Sequence, residues 1–114
     1  MKKLPNYLKA HRKRYGLSQM DLACLLGANT DAIVWQYEHE WRAPGFINLI
    51  ALEYIFGLDS KTLFAGVAAE VEKETNGRAR KLASLLASRP LTPHRLRKIK
   101  FLKSILSREV DYRR

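Results

Sequence analysis

Glycine, alone or beside proline, interrupts the chain at Gly16, Gly27, Pro44-Gly45 and Gly57, and between these breaks apolar residues recur at helical spacing. No stretch sustains the two-residue alternation of a half-buried strand, and no Asn-Gly stands between β-branched runs. A sequence punctuated in this way can bury its apolar residues only as short helices packed on one another. An all-α fold is expected.

The individual helices follow from their start and stop signals. The first runs from Asn6 to Tyr15 after Pro5, with Leu8 and Tyr15 inward, Lys9, Lys13 and Arg14 outward, and Gly16 as its stop. Ser18-Gln19-Met20-Asp21 reads as a capping box with Asp in place of the commoner Glu. The helix it opens is expected to bury Leu22, Ala23, Leu25 and Leu26 and to end at Gly27, with Cys24 as a small core side chain. Asn29 or Thr30 caps a third helix reaching His39. A fourth, Phe46 to Phe56, is apolar on most faces and ends at Gly57. Asp59 or Ser60 caps a fifth, carrying Leu63, Phe64, Val67 and Val71 out to Asn76-Gly77. A sixth covers Arg78 to Ala87, and Thr92-Pro93 opens a seventh with cap and proline in their preferred places. A chain of 114 residues suffices for one core. Asn76-Gly77 is the best boundary, dividing residues 1–76 from an extension over residues 77–114.

Charge is segregated along this chain. Residues 1–15 hold six basic residues and no acid. Residues 16–60 hold Asp21, Asp31, Glu38, Glu40, Glu53 and Asp59 against Arg42 alone. Residues 77–114 carry twelve Lys/Arg against Glu109 and Asp111, so their net charge matches the +10 of the whole chain. Basic ends flanking an acidic middle favour a polyanionic partner such as nucleic acid. No apolar run approaches the ~18 residues that span a membrane, and the basic N-terminus lacks the apolar segment of a signal peptide. A cytoplasmic protein is expected. With one cysteine and no cluster of ligands, neither a disulfide nor a metal site is expected, and no cofactor is implied.

The second and third helices are joined by a turn that Gly27 initiates, with the small Ala23 where two helix axes would approach. In a helix-turn-helix the second helix of such a pair is presented outward and the first crosses the DNA backbone. At this point the sequence resembles the lambda-repressor-like (Xre family, Cro/cI-type) helix-turn-helix regulators, over about residues 4 to 66. The resemblance rests on Leu17-Ser18-Gln19, Leu22-Ala23, Leu26-Gly27, Val34, Tyr37-Glu38, Arg42, Pro44, Leu49, Phe56-Gly57-Leu58 and Leu63-Phe64. It implies a five-helix bundle followed by a C-terminal helical extension, and a DNA-binding transcriptional regulator, such as a repressor, that works as a homodimer on double-stranded DNA. Two features depart from the family pattern. The stretch from Gly27 to Val34 is one residue longer, and Glu40 stands where the family has glycine.

The resemblance assigns Gln19 to a phosphate, and a helix start is physically suited to one. It also pairs a base with an acid at Arg12 and Glu38, since a partly buried glutamate needs a partner. By helical spacing Val34 and Tyr37 face the core, leaving Thr30, Asp31, Ala32, Trp35 and Gln36 for the groove, with Asn29 at the entry. Gln36 suits adenine N6/N7, and Ala32 a thymine methyl. Asp31 is repelled by phosphates unless it accepts from cytosine N4, and Trp35 reads equally as packing against a neighbouring subunit or helix. The third helix has no Lys or Arg, yet most of the electrostatic affinity goes to phosphates. Lys2, Lys3, Lys9, Lys13, Arg14, Arg42 and the extension are the available cations.

In the extension, Leu96, Ile99, Leu102, Ile105 and Leu106 form one stripe between Thr92 and Val110, with Arg95, Arg97, Lys98, Lys100, Lys103 and Arg108 opposite. This helix can dock on the core or a second subunit, cradle nucleic acid, or lie on an anionic membrane surface, the last being disfavoured beside a DNA-binding fold. His11, His39 and His94 have no nucleophile or carboxylate at diagnostic spacing, so no enzyme is expected. Two further readings stand beside the regulator. One is the autoregulating antitoxin of a toxin–antitoxin pair; the other is a protein-interaction module using the Trp35/Asp31 face.

Overall fold

The computed structural model describes the backbone of residues 6–112 and the side chains of residues 6–108. Its described residues form seven helices and no strand: α1 (Leu8–Arg14), α2 (Gln19–Leu25), α3 (Ala32–Glu38), α4 (Phe46–Phe56), α5 (Ser60–Leu63), α6 (Ala65–Ala87) and α7 (Pro93–Tyr112). The fold is all-α. Lys2, Lys3 and the Val110 side chain lie outside the described residues. None of the described helices is long and apolar enough to cross a membrane.

The first three helices end in the same way. Gly16 and Gly27 adopt φ of 71° and 77°, as the left-handed residue after a helix end requires. The chain then closes a Schellman motif, in which the two residues after the cap donate back to the last turn. After α1 these bonds run from Gly16 N–H to Lys13 and from Leu17 N–H to Arg12, and after α2 from Gly27 N–H to Cys24 and Ala28 N–H to Ala23. After α3 the same pair runs from Glu40 N–H to Tyr37 and Trp41 N–H to Gln36. Here the left-handed residue is Glu40, with φ of 59°, a conformation that costs a non-glycine residue on the order of 1 kcal/mol. Glu40 therefore performs the glycine's geometric task.

The starts are also built from local chemistry. Ser18 and Asp21 form a reciprocal capping box on α2, each bond 2.9 Å. Asp59 caps α5 by accepting from the Thr62 N–H and hydroxyl. By contrast α3 begins after Asp31, whose backbone is helical and whose side chain makes no cap. Asn29 and Thr30 thus lie in the turn before α3 and do not cap it.

The first compact unit ends at Ala69. Its core gathers Leu8, Leu22, Ala23, Val34, Tyr37, Leu52, Phe56, Leu63 and Phe64 from the first five helices and the residue after α5. Leu8, Leu22, Val34, Leu52 and Leu63 are completely buried, each contributing roughly 1.5–3 kcal/mol by removal from water. Three expected core residues are instead exposed. Only Leu22, Ala23 and Leu26 of α2 share the arc that meets the core, so Cys24 and Leu25 turn outward. Tyr15 follows the end of α1, where the helical face no longer applies, and rests its ring near Phe56 at 6.3 Å.

The fifth and sixth helices break differently from their sequence signals. Phe64 leaves helical geometry (φ −124°, ψ 56°) as its ring enters the core. The chain then resumes as α6, which runs unbroken through Asn76-Gly77. One internal glycine costs only about 1 kcal/mol, and the many Ala, Glu, Lys, Arg and Leu residues of α6 outweigh it. The division into units falls at Ala69/Glu70, not at Gly77.

The second unit comprises the remainder of α6 and α7. Asn76, Ala79 and Leu102 are buried. Ile99, Ile105 and Leu106 of the expected stripe are half-buried, while Leu96 is exposed. Thr92 caps α7 by accepting from Arg95 N–H, and Arg95 donates to the Pro90 carbonyl. Arg97, Lys98, Lys100, Lys103 and Arg108 all reach solvent.

Two outcomes are expected from this local chemistry. A Cβ added at Gly77 meets nothing within 4 Å, so Gly77→Ala should raise stability by about 0.5–1 kcal/mol in chemical denaturation. The Asp59 carboxyl is held below its ordinary range chiefly by the Thr62 hydroxyl and then the Thr62 N–H, and Asp21 by the Ser18 N–H and side chain. Their stabilisation is complete above the ordinary carboxylate pKa and is lost as pH falls through the lowered folded value. The thermal midpoint of the Asp21→Asn/Asp59→Asn variant should therefore fall less than that of the parent between about pH 5 and pH 2.

Candidate nucleic-acid interface

The face of α3 is set by which of its residues are needed inside. Val34 and Tyr37 are buried in the core, and α3 packs on both α2 and α1. Tyr37 is further held by its hydroxyl, which accepts from Asn48, and by its carbonyl, which accepts from Asn6. Asn6 also accepts from the Leu8 N–H, so one side chain joins the start of α1 to the end of α3.

Glu38 completes the anchoring. Arg12 Nε donates to its Oε2 at 2.6 Å and a second guanidinium nitrogen donates to its Oε1 at 3.2 Å. The third nitrogen donates to the Leu17 carbonyl at 2.8 Å. The side chains of the pair are 7% and 0% exposed, so the two charges neutralise each other out of water. Gln19 Nε2 donates to the same Oε1 at 3.1 Å. The amide that the resemblance assigns to a phosphate thus gives one of its two N–H donors to Glu38.

With these residues taken inward, Asn29, Thr30, Asp31, Ala32 and Trp35 are exposed on one side of the turn and α3, and Gln36 is half-buried. Trp35 is already in contact within its own chain. Its ring stacks on His39, centroids 4.1 Å apart and 18° between planes, and meets Trp41 edge-on at 5.6 Å. His39 Nδ1 also lies 2.9 Å from the Trp35 carbonyl. The i, i+4 spacing of Trp35 and His39 was legible, but Trp41 joins them only through the Glu40 turn.

Among the described residues of the first unit the exposed cations are Lys9, Lys13 and Arg14 on α1, Arg42 beyond α3, and Lys61. Arg12 is committed to Glu38. Among the described residues no group of three His, Cys, Asp or Glu side chains is arranged to hold a metal ion. Comparison with protein-family models, curated proteins and solved structures finds no match to this chain.

Removing one partner of the buried pair strands the other. Glu38→Ala should cost about 3–5 kcal/mol in denaturant titration, and Arg12→Met/Glu38→Leu should recover a large part of that loss. Equal costs for the single and double variants would show that the pair acts by packing alone.

Proposed function

We propose that the chain is a sequence-specific DNA-binding transcriptional regulator of the lambda-repressor-like helix-turn-helix type, with α3 as the helix that enters the major groove. One observation carries this reading: α2, a glycine-initiated turn and α3 are packed together so that α3 keeps Val34, Tyr37 and Glu38 inside while Asn29, Thr30, Asp31, Ala32 and Trp35 face out. Base edges can be read by a face that has no Lys or Arg of its own, with cations elsewhere on the protein meeting the phosphates. Lys9, Lys13, Arg14 and Arg42 supply that charge in the first unit. In the second unit α7 carries exposed cations of its own. Gln19, through its bond to Glu38, supports α3 in this reading, and its second amide N–H is the donor for a phosphate.

The aromatic cluster favours a second reading. Trp35, His39 and Trp41 form an exposed patch beside Asp31, as a protein-interaction surface would. Autoregulation by an antitoxin would combine the two.

Selection from a pool of random duplexes, followed by titration at several salt concentrations, tests the proposal. Gln36→Ala should cost about 1–3 kcal/mol at the selected site and relax selectivity there. Lys13→Ala should weaken all duplexes alike and lower the salt slope by about one. Asp31→Asn separates two roles. Loss of a repelled acid strengthens non-specific binding, whereas loss of a cytosine acceptor weakens only the selected site. No enrichment of any sequence would leave the interaction surface as the function of this face.

A further inference from the structure

The least explained feature of the first unit is α4. It is apolar on most faces, Asn48 and Glu53 excepted, a pattern that belongs to a helix covered on most of its sides. Leu52 and Phe56 enter the core and Leu49 and Ile55 pack against it. The opposite face does not. Phe46, Ile47, Ile50 and Tyr54 are 78%, 79%, 49% and 89% exposed. At 100° per residue these four positions fall within one arc of about 100°, so they form a single stripe.

We propose that this stripe is the surface on which two copies of the chain associate. Its chemistry is self-complementary, which a two-fold interface demands because the same patch must serve on both sides. None of the four is Asp, Glu, Lys, Arg or His. Glu53, the one charged residue of α4, is held by the Ser60 N–H at 3.0 Å. The stripe itself brings no Lys or Arg of two chains of net +10 face to face, and a polyanion finds no cation on it. The area also fits. Two aromatic and two isoleucine side chains at these exposures offer on the order of 500 Å² of apolar surface. That is close to the two-thirds apolar share of the roughly 800 Å² each partner buries in a standard dimer. It stands at the upper end of patches tolerated on monomers.

Sedimentation of the full chain without DNA tests this independently of the proposed function. The parent should move from 13.2 kDa toward twice that mass between about 1 and 100 μM. Ile47→Asp/Tyr54→Asp should remain monomeric, with its dissociation constant raised at least about a hundredfold. These side chains are exposed, so helicity by circular dichroism should be unchanged; the milder Ile47→Ser/Tyr54→Ser variant should weaken association in the same direction. Leu96→Asp/Phe101→Asp in α7 should leave the dimer intact. A parent that is monomeric throughout, or a dimer surviving the α4 charges, overturns the proposal. So does a dimer lost only through the α7 charges, which would assign association to the extension.

Discussion

The Arg12–Glu38 pair is the contact on which the first unit depends, because three elements meet in it. Arg12 belongs to α1, Glu38 to the last turn of α3, and the remaining guanidinium nitrogen holds the chain at Leu17 as it enters α2. Gln19 closes the arrangement from α2. A buried ion pair gains little over a well-packed apolar pair in net stability. Its effect here is geometric. The planar fork of arginine admits few arrangements, so the three helices are held at one mutual setting.

That setting decides which side of α3 is outward. Each of the first three helices has only seven residues, too few to persist alone in water. Their stability comes from the shared core and from the three Schellman closures that stop each helix and redirect the chain. The strained Glu40 belongs to this scheme. It lies between buried Glu38 and the Trp41 that returns to Trp35, so the turn joins the ion pair to the exposed aromatic cluster.

A division of labour in charge follows. The acids of the middle segment are largely engaged in structure: Asp21 and Asp59 cap helices, Glu38 is paired and Glu53 holds Ser60. Asp31 alone among those on the α3 face has no such structural hydrogen bond to explain it. The excess of acid over base between residues 16 and 60 is thus mostly the cost of holding short helices together, and it does not make the surface of α3 strongly anionic. The exposed cations of the first unit's described residues lie outside α3, on α1 and at Arg42 and Lys61.

Much of this was legible in the sequence. Glycine spacing and capping residues marked α1, α2, α4 and α7, since these signals act within a few residues of themselves. Helical spacing put Leu8, Leu22, Val34, Tyr37 and Leu52 inside. The tertiary structure alone decided the rest. A period of 3.6 states which residues share a face but not how wide an arc has a neighbour, so Cys24 and Leu25 on α2 read as core and are exposed, and the apolar sequence of α4 did not tell its buried face from the exposed stripe of Phe46, Ile47, Ile50 and Tyr54. Gln19 reads as a free helix-start amide and is bound to Glu38, a partner 19 residues away. Phe64 reads as helical, yet burial of its ring in the core breaks the helix there, and Asn76-Gly77 reads as a boundary although propensity carries α6 across it. Local signals determined the elements; contacts distant in sequence determined which of their faces remain free to bind.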